Sequence, residues 1–137
     1  MPLQLDIVTP EKSIFSDLVD NVYLPGADGE MGILPMHAGL VTALQAGVLR
    51  YLHNGQEVSL AIGSGFAEIT QTKVVVLTDM ALGEAEIDIS RAEAGIKRAQ
   101  EKLSSVDHSL DAEEVAYLQG NIAKATAAIS IKRRGGR

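Results

Sequence analysis

The sequence predicts a protein in two parts, an N-terminal antiparallel β-sandwich or flattened barrel followed by a C-terminal hairpin of two α-helices. Short apolar stretches separated by Gly, Pro and Asn fill residues 1–87 at intervals of about eight to twelve residues, which is typical of an antiparallel sandwich or barrel. The hydrophobic period then changes from two residues to three or four. All four prolines lie before residue 36, so none interrupts the helical part.

The charge changes at the same point as the hydrophobic period. Residues 1–87 carry eleven acidic and three basic side chains, whereas residues 88–137 carry seven acidic and nine basic ones. We therefore divide the chain into a β-domain, residues 1–87, and a helical domain with a basic tail, residues 88–137. At 137 residues and 46% hydrophobic content the chain is long enough to bury a core.

Composition excludes several classes of function. A net charge of -6 argues against nucleic acid as a partner, because phosphates are neutralised by clustered Lys and Arg. The chain has no cysteine, so disulfides and thiolate metal sites are excluded. The first residues lack the basic and apolar segments of a signal peptide. The uncharged run 31–49 contains a proline and three glycines, which argue against a membrane-spanning helix.

The β-strands follow in chain order. Leu3, Leu5 and Ile7 alternate with less apolar residues, which predicts a half-buried first strand that ends at Thr9. Further strands are predicted at 14–16, 18–24, 40–46, 48–52, 58–62, 66–70 and 74–78. Asn54-Gly55 is a strong signal for a two-residue hairpin between two of them. The continuous apolar run 74–77 predicts a strand that is covered on both faces.

Glycine and proline dominate the stretch from residue 24 to residue 40. Its glycines recur at every third position between two prolines, so we expect a tight corner between two strands, with positive φ available at the glycines, Gly32 among them. A phosphate-binding loop would need a lysine and a following helix, which this stretch lacks. An acid/base pair of Asp28 and Glu30 is the weaker interpretation, because turn chemistry already favours an aspartate beside glycine.

Two helices with matching apolar stripes are predicted after residue 87. Asp88 is a suitable N-cap for the first, which extends to about Ser104. Asp111 and Glu114 form a capping box for the second. The segment 104–109 breaks the pattern between them. Because the stripes are rich in alanine, such a hairpin is marginal alone, and we expect it to lean on the β-domain or on a partner.

Candidate catalytic groups are few. The three histidines lie in different predicted elements without metal-ligand spacing. Ser64 stands in Gly63-Ser64-Gly65 without the strand-to-helix elbow of a nucleophile. The residues therefore favour an interaction protein over an enzyme.

Three segments together resemble a known family. They are the pattern Gly-x-x-Gly-x-x-Gly-Ile-Leu-Pro-x-His at residues 26–37, the segment Ala61-Ile62-Gly63-Ser64-Gly65-Phe66-Ala67-Glu68, and the helical hairpin. The chain resembles the epsilon subunit of F-type ATP synthases over essentially its whole length, and the cyanobacterial and chloroplast branch in particular. It departs at Gly39, where many members have proline.

The resemblance implies a non-catalytic rotor subunit of the proton-translocating F-type ATP synthase. Its sandwich would bind the gamma subunit and the membrane c-ring in the central stalk. Its hairpin would extend toward an acidic segment of the beta subunit and restrain ATP hydrolysis. No cofactor would be required, and contact with the membrane would be indirect, on the cytoplasmic face of an energy-transducing membrane such as the thylakoid.

The resemblance also suggests which side chains meet the partners. The net-positive region 88–137 complements an acidic segment of the beta subunit, and His37 lies in the glycine-rich corner. The expected partner contacts are Lys124, Lys132, Arg133, Arg134 and His37.

A second motif suggests a nucleotide. Residues 87–92 resemble the Ile/Leu-Asp-x-x-Arg-Ala motif with which some bacterial members bind ATP, which implies a site made of Asp88, Arg91, Ala92 and nearby Arg98. The arginines would pair with phosphates, while the alternative role of Asp88 is to cap its helix. The second helix has only Lys124 before Arg133, so half of the expected phosphate partners are missing. The alternative function is an ATP-sensing module whose hairpin folds around ATP as a weak regulatory ligand.

Overall fold

The computed structural model describes residues 2–36, 38–104 and 111–135. These residues form ten β-strands, a short 3-10 turn at Glu84–Glu86 and two α-helices. The strands are β1 (Leu3–Val8), β2 (Ser13–Val19), β3 (Asn21–Gly26), β4 (Gly29–Ile33), β5 (Leu40–Leu44), β6 (Gly47–His53), β7 (Gln56–Ile62), β8 (Gly65–Ile69), β9 (Lys73–Thr78) and β10 (Ala81–Leu82), and the helices are α1 (Ile89–Leu103) and α2 (Ala112–Gly135).

The strands form one continuous sheet that folds over on itself into a β-sandwich. Its order is β10-β7-β6-β3-β5-β8-β9-β1-β2, with β4 paired to β3. Every pair is antiparallel except β1 with β9, where Leu5 lies opposite Val74 in a parallel register. Across the fold, Phe15 of β2 packs on Tyr51 of β6 with 4.5 Å between the ring centroids. The predicted antiparallel sandwich followed by two helices is confirmed.

Alternation along the strands builds the core. The inward side chains of β1, Leu3, Leu5 and Ile7, are fully buried, as their spacing predicted. The main apolar cluster draws all of its buried members from residues 3–81. Among the described residues, the sandwich therefore has a core to which α1 and α2 contribute no buried side chain.

The hairpin between β6 and β7 is confirmed in detail. Asn54 and Gly55 have φ angles of 52° and 80°, which are the paired positive values of a type I′ turn. This turn sets the register, with His53 opposite Gln56.

The glycine-rich stretch is a β-hairpin followed by a loop, where the sequence predicted a single corner. β3 continues through Pro25 to Gly26 and pairs with β4, so Gly26 lies opposite Gly29. Gly29 has positive φ, at 126°, but Gly32 does not, and that expectation was wrong. Gly32 is needed for space, because a Cβ there would stand 3.0 Å from the ring of Tyr23.

Three other strand predictions need correction. The apolar run in β9 is covered on one face only, because Val74 and Val76 are fully buried while Leu77 is 54% exposed. The break between β2 and β3 falls at Asp20 instead of Asp17. The two-residue strand β10 was not predicted, since so short a segment shows no alternation.

The helices begin where their caps predicted. The Asp88 carboxylate accepts a hydrogen bond from the Arg91 N–H at 3.2 Å. At the start of α2, Asp111 accepts one from the Glu114 N–H at 2.8 Å. Most of the predicted break at 104–109 lies outside the described residues. The strands end at Leu82 and α1 begins at Ile89, and the domain boundary at residue 87 stays a prediction.

Candidate functional site at the junction of hairpin and sandwich

Helix α2 joins the hairpin to the sandwich through small side chains. A second, separate apolar cluster contains Ala127, Ala128 and Ile131 of α2, which are 4–5% exposed, together with Ala61 of β7 and Ile87. The sequence analysis missed this face of α2, because it followed another stripe, of which Ala125 and Ile129 line clefts that α2 shares with α1. Alanine-rich contact brings the helix close to the sheet but buries little apolar area per residue.

Two lysines of α2 form polar contacts with residues that follow the strands of the sandwich. The Lys124 ammonium lies 3.0 Å from the Asp79 carboxylate. The Lys132 ammonium donates a hydrogen bond to the main-chain carbonyl of Glu84 at 3.2 Å. Both lysines were expected to be partner contacts, and in this structure both are engaged within the chain.

The segment that carries Asp79 is hydrogen-bonded to the loop between β7 and β8. The neighbouring Thr78 is 5% exposed, and its hydroxyl lies 3.0–3.2 Å from the carbonyl oxygens of Gly63, Ser64 and Met80. A Cβ on Gly63 would collide with the Asp79 carboxylate and stand 2.8 Å from Cε of Lys124. Gly63 therefore leaves the space in which the ion pair sits.

All four predicted nucleotide-binding residues line one cleft between the helices and the sandwich. The cleft has a volume of about 440 Å³. Helix α1 and its cap contribute the four predicted residues Asp88, Arg91, Ala92 and Arg98, and α2 contributes Asn121, Lys124, Ala125 and Ala128. The four residues thus lie along one cleft, whereas the sequence suggested them only through the resemblance of residues 87–92 to a family motif and the nearness of Arg98.

Two of the charged side chains that line this cleft already have partners within the chain. Asp88 caps α1 and Lys124 pairs with Asp79. Arg91 and Arg98 are exposed, and within the described ranges neither forms an ion pair. On the α1 side the cleft is therefore lined by two guanidinium groups that form no ion pair within the described ranges, and on the α2 side by Lys124 and by three neutral residues.

Two further expected partner contacts, Arg133 and Arg134, lie near the C-terminal end of α2. Arg133 lines a groove on the outer side of the hairpin, with Glu93 and Ile96 of α1. Arg134 lines a depression beside Glu57 and Glu84. His37 lies outside the described residues.

An apolar strip crosses the outer face of the sandwich. Val41, Phe66 and Leu77 are 70%, 59% and 54% exposed. Phe66 lies opposite Leu77 of β9 on one side and Ala43 of β5 on the other, so the strip crosses three adjacent strands. The sequence analysis missed it because an apolar run in a strand was interpreted as burial on both faces. Contiguous exposed apolar surface is typical of a protein–protein contact.

Glu30 and Asp28, considered above as an acid/base pair, have separate environments. Glu30 is bound by Arg50, whose guanidinium lies 2.9 Å from the carboxylate and 4.5 Å from the centre of the Tyr23 ring. Asp28 is exposed in the turn between β3 and β4. Over residues 2–36, 38–104 and 111–135 we find no cluster of three potential metal ligands and no helix long and apolar enough to span a membrane.

Comparison with known proteins identifies the class to which this fold belongs. Residues 2–84 match the family model described as the β-sandwich domain of the ATP synthase delta/epsilon chain. The chain therefore belongs to the ATP synthase delta/epsilon family.

Within that family its relatives are bacterial epsilon chains. The chain is 49% identical to the ATP synthase epsilon chain of Dehalococcoides mccartyi over 119 residues, 85% of each chain. It is 48% identical to that of Desulforamulus reducens over 108 residues, which cover 79% of this chain and 82% of the relative. It is 40% identical to that of Nitratidesulfovibrio vulgaris over 123 residues, 89% and 92% of the two chains.

These relatives correct one detail of the resemblance. They come from bacteria that are not photosynthetic, so the expected cyanobacterial or chloroplast branch and the thylakoid location have no support from them.

Solved structures share the fold. A chain of the Euglena gracilis mitochondrial ATP synthase superposes with a TM-score of 0.78 at 21% identity, covering 94% of this chain and 80% of the other. A chain from the central stalk and c-ring of the Tetrahymena thermophila mitochondrial ATP synthase gives a TM-score of 0.61 at 8% identity, with 96% and 97% covered.

Proposed function

We propose that the protein is a non-catalytic rotor subunit in the central stalk of a proton-translocating F-type ATP synthase, where it couples the catalytic head to the c-ring. The observation that carries this proposal is the 40–49% identity to bacterial ATP synthase epsilon chains over most of the sequence. The likeness to chains of mitochondrial ATP synthases supports it at the level of fold. The protein is peripheral on the cytoplasmic face of an energy-transducing membrane, which it reaches through the complex.

The apolar strip on the outer face is the proposed contact with the gamma subunit. Phe66 lies directly opposite Leu77, and Val41 lies diagonally from Phe66, opposite Glu68. The three apolar side chains are each more than half exposed, and their burial would stabilise a complex. Exposed apolar side chains also mark the loop after β4, where Leu34 and Met36 are 59% and 56% exposed. This loop is the proposed contact with the c-ring.

Assembly tests the rotor role. A Phe66→Glu change places a charge in the centre of the strip without touching the core, so we expect the variant chain to fold and to lose its place in the purified ATP synthase. The matched control is Tyr117→Glu, because Tyr117 is also exposed, at 68%, but lies on α2. Co-purification of Phe66→Glu at the level of the natural chain would contradict the proposed contact.

The hairpin is the proposed restraint on ATP hydrolysis. It is joined to the sandwich by a small apolar cluster and two lysines, an interface small enough to separate without unfolding the sandwich. Its exposed Arg133 and Arg134 would then reach an acidic segment of the beta subunit.

A second candidate function is ATP sensing, which the cleft lined by Asp88, Arg91, Ala92 and Arg98 favours. ATP as a weak regulatory ligand would place its phosphates against Arg91 and Arg98 and hold the hairpin folded. Calorimetric titration of the full chain with ATP tests it. We expect heat that is lost in Arg91→Ala and kept in Lys102→Ala, a control at an exposed lysine of the same helix. No heat at millimolar ATP would remove this function.

A further inference from the structure

We propose that the Asp79–Lys124 ion pair, seated over Gly63, is a latch that holds the helical hairpin on the β-sandwich. The latch joins residues 45 positions apart, one on the segment after β9 and the other in the middle of α2. Its regulatory meaning rests on the proposed restraint of ATP hydrolysis. Its effect on the position of the hairpin does not.

The first argument is the size of the surface that the latch supplements. The apolar contact between α2 and the sandwich consists of Ala61, Ile87, Ala127, Ala128 and Ile131, with three partly buried neighbours. Three of these five buried side chains are single methyl groups. With so little apolar area in the contact, one ion pair makes a measurable part of the free energy that holds the hairpin in place.

The second argument is that the sandwich holds Asp79 ready for Lys124. The buried Thr78 hydroxyl donates to the Gly63 carbonyl at 3.0 Å and accepts from the Met80 N–H at 3.4 Å, and the Gly63 N–H donates to the Met80 carbonyl at 3.0 Å. Because the backbone around Asp79 is already ordered, formation of the pair costs less conformational entropy on that side.

The third argument is the glycine beneath the pair. The side chains of Asp79 and Lys124 meet in the volume that a Cβ of Gly63 would occupy. Gly63 itself has no positive φ, so backbone freedom does not explain the glycine. Space for the ion pair does.

Distances between two spin labels test the latch in the full chain. Since the protein has no cysteine, Asp28→Cys on the sandwich and Ser104→Cys at the end of α1 can be labelled uniquely. In Lys124→Glu we expect the ratio of docked to released hairpin to fall by about threefold to tenfold, the scale of a partly exposed ion pair. The control Lys97→Glu has the same change of charge at an exposed lysine of α1, and it should leave the ratio unchanged.

A charge swap separates the latch from general damage. Asp79→Lys alone should release the hairpin as Lys124→Glu does, and the double variant Asp79→Lys with Lys124→Glu should restore docking. Gly63→Ala, which keeps both charges, should also release the hairpin, while circular dichroism shows the sandwich still folded. The latch is overturned if Lys124→Glu leaves the distance distribution unchanged, or if the double variant is as released as the single ones. These outcomes concern the isolated chain, so they are separate from any failure of the proposed function in the complex.

Discussion

Two glycines in this chain, Gly32 and Gly63, are required for the space they leave to neighbouring side chains. Gly32 lies in β4, and a side chain at this position would press against the ring of Tyr23. Gly63 leaves the space that the Asp79–Lys124 pair occupies. Sequence inspection could identify the glycines as special, but it could not separate a need for positive φ from a need for space. That distinction depends on neighbours such as Tyr23 of β3, whose position only the fold supplies.

The first prediction concerns Gly32→Val. The new side chain must displace the Tyr23 ring, so we expect the free energy of unfolding to fall by about 1–3 kcal/mol. Urea denaturation followed by circular dichroism measures it. Gly120→Ala in α2 is the contrasting control. Nothing lies within 4 Å of its added Cβ, so this helix should become more stable by about 0.5–1 kcal/mol. An unchanged free energy in Gly32→Val would contradict the steric explanation.

The second prediction concerns Asp6. The Ser16 hydroxyl at 2.7 Å, then the Gln4 amide and the Lys73 ammonium, hold the pKa of this carboxyl below its ordinary value. A folded-state pKa below the unfolded one stabilises the fold above about pH 4, and this stabilisation is lost as the pH falls through the folded-state pKa.

Removal of the Ser16 hydroxyl tests whether its hydrogen bond is the main cause of the lowered pKa of Asp6. In Ser16→Ala the pKa of Asp6, followed by NMR of the carboxyl carbon, should rise toward its ordinary value, and the loss of stability in acid should become smaller. Ser13→Ala, at an exposed serine of the same strand, should change neither. A rise of the same size in both variants would exclude the Ser16 hydrogen bond as the main cause.

At the scale of elements, α2 shows how far sequence patterns reach. The stripe of Val115, Leu118, Ile122, Ala125 and Ile129 predicted its contact with α1, because one face of a helix repeats every three or four residues. Its second face, with Ala127, Ala128 and Ile131, was not recognised, since α2 is apolar on two sides and no single stripe describes it. Strand β4 was also not predicted, because it contains Gly29 and Gly32 and glycine usually interrupts strands.

The third prediction tests that second face. Ile131 is 4% exposed between α2 and the sandwich, so Ile131→Ala should weaken docking of the hairpin by about 2 kcal/mol or more. We expect hydrogen exchange to accelerate in α2 while the strands keep their protection. Equal acceleration in the strands of the sandwich would mean that the two parts unfold as one unit.

The whole molecule combines a sandwich with its own core and a hairpin held on it by few contacts. Sequence alone predicted this division, because periodicity, proline content and charge all change near residue 87. It could not predict the contact between the parts, since Asp79 and Lys124 are ordinary charged residues until the fold brings them together. The candidate cleft was half predictable, because its α1 residues form a local motif and its α2 residues do not.

The central claim is that the hairpin restrains ATP hydrolysis when it is released from the sandwich and does not restrain it when it is docked. The rate of ATP hydrolysis by the assembled complex tests this claim most directly. Complexes assembled with a form of this subunit truncated to residues 1–87 should hydrolyse ATP faster than complexes with the full chain, because the restraint is missing. Complexes with Asp79→Lys, which breaks the ion pair from the sandwich and leaves the charges of the helices unchanged, should hydrolyse it more slowly, because the hairpin is released more often. Asp28→Lys, the same change at an exposed aspartate of the sandwich, should match the natural chain. Equal rates for the truncated and full chains, or a faster rate with Asp79→Lys than with the natural chain, would contradict the account.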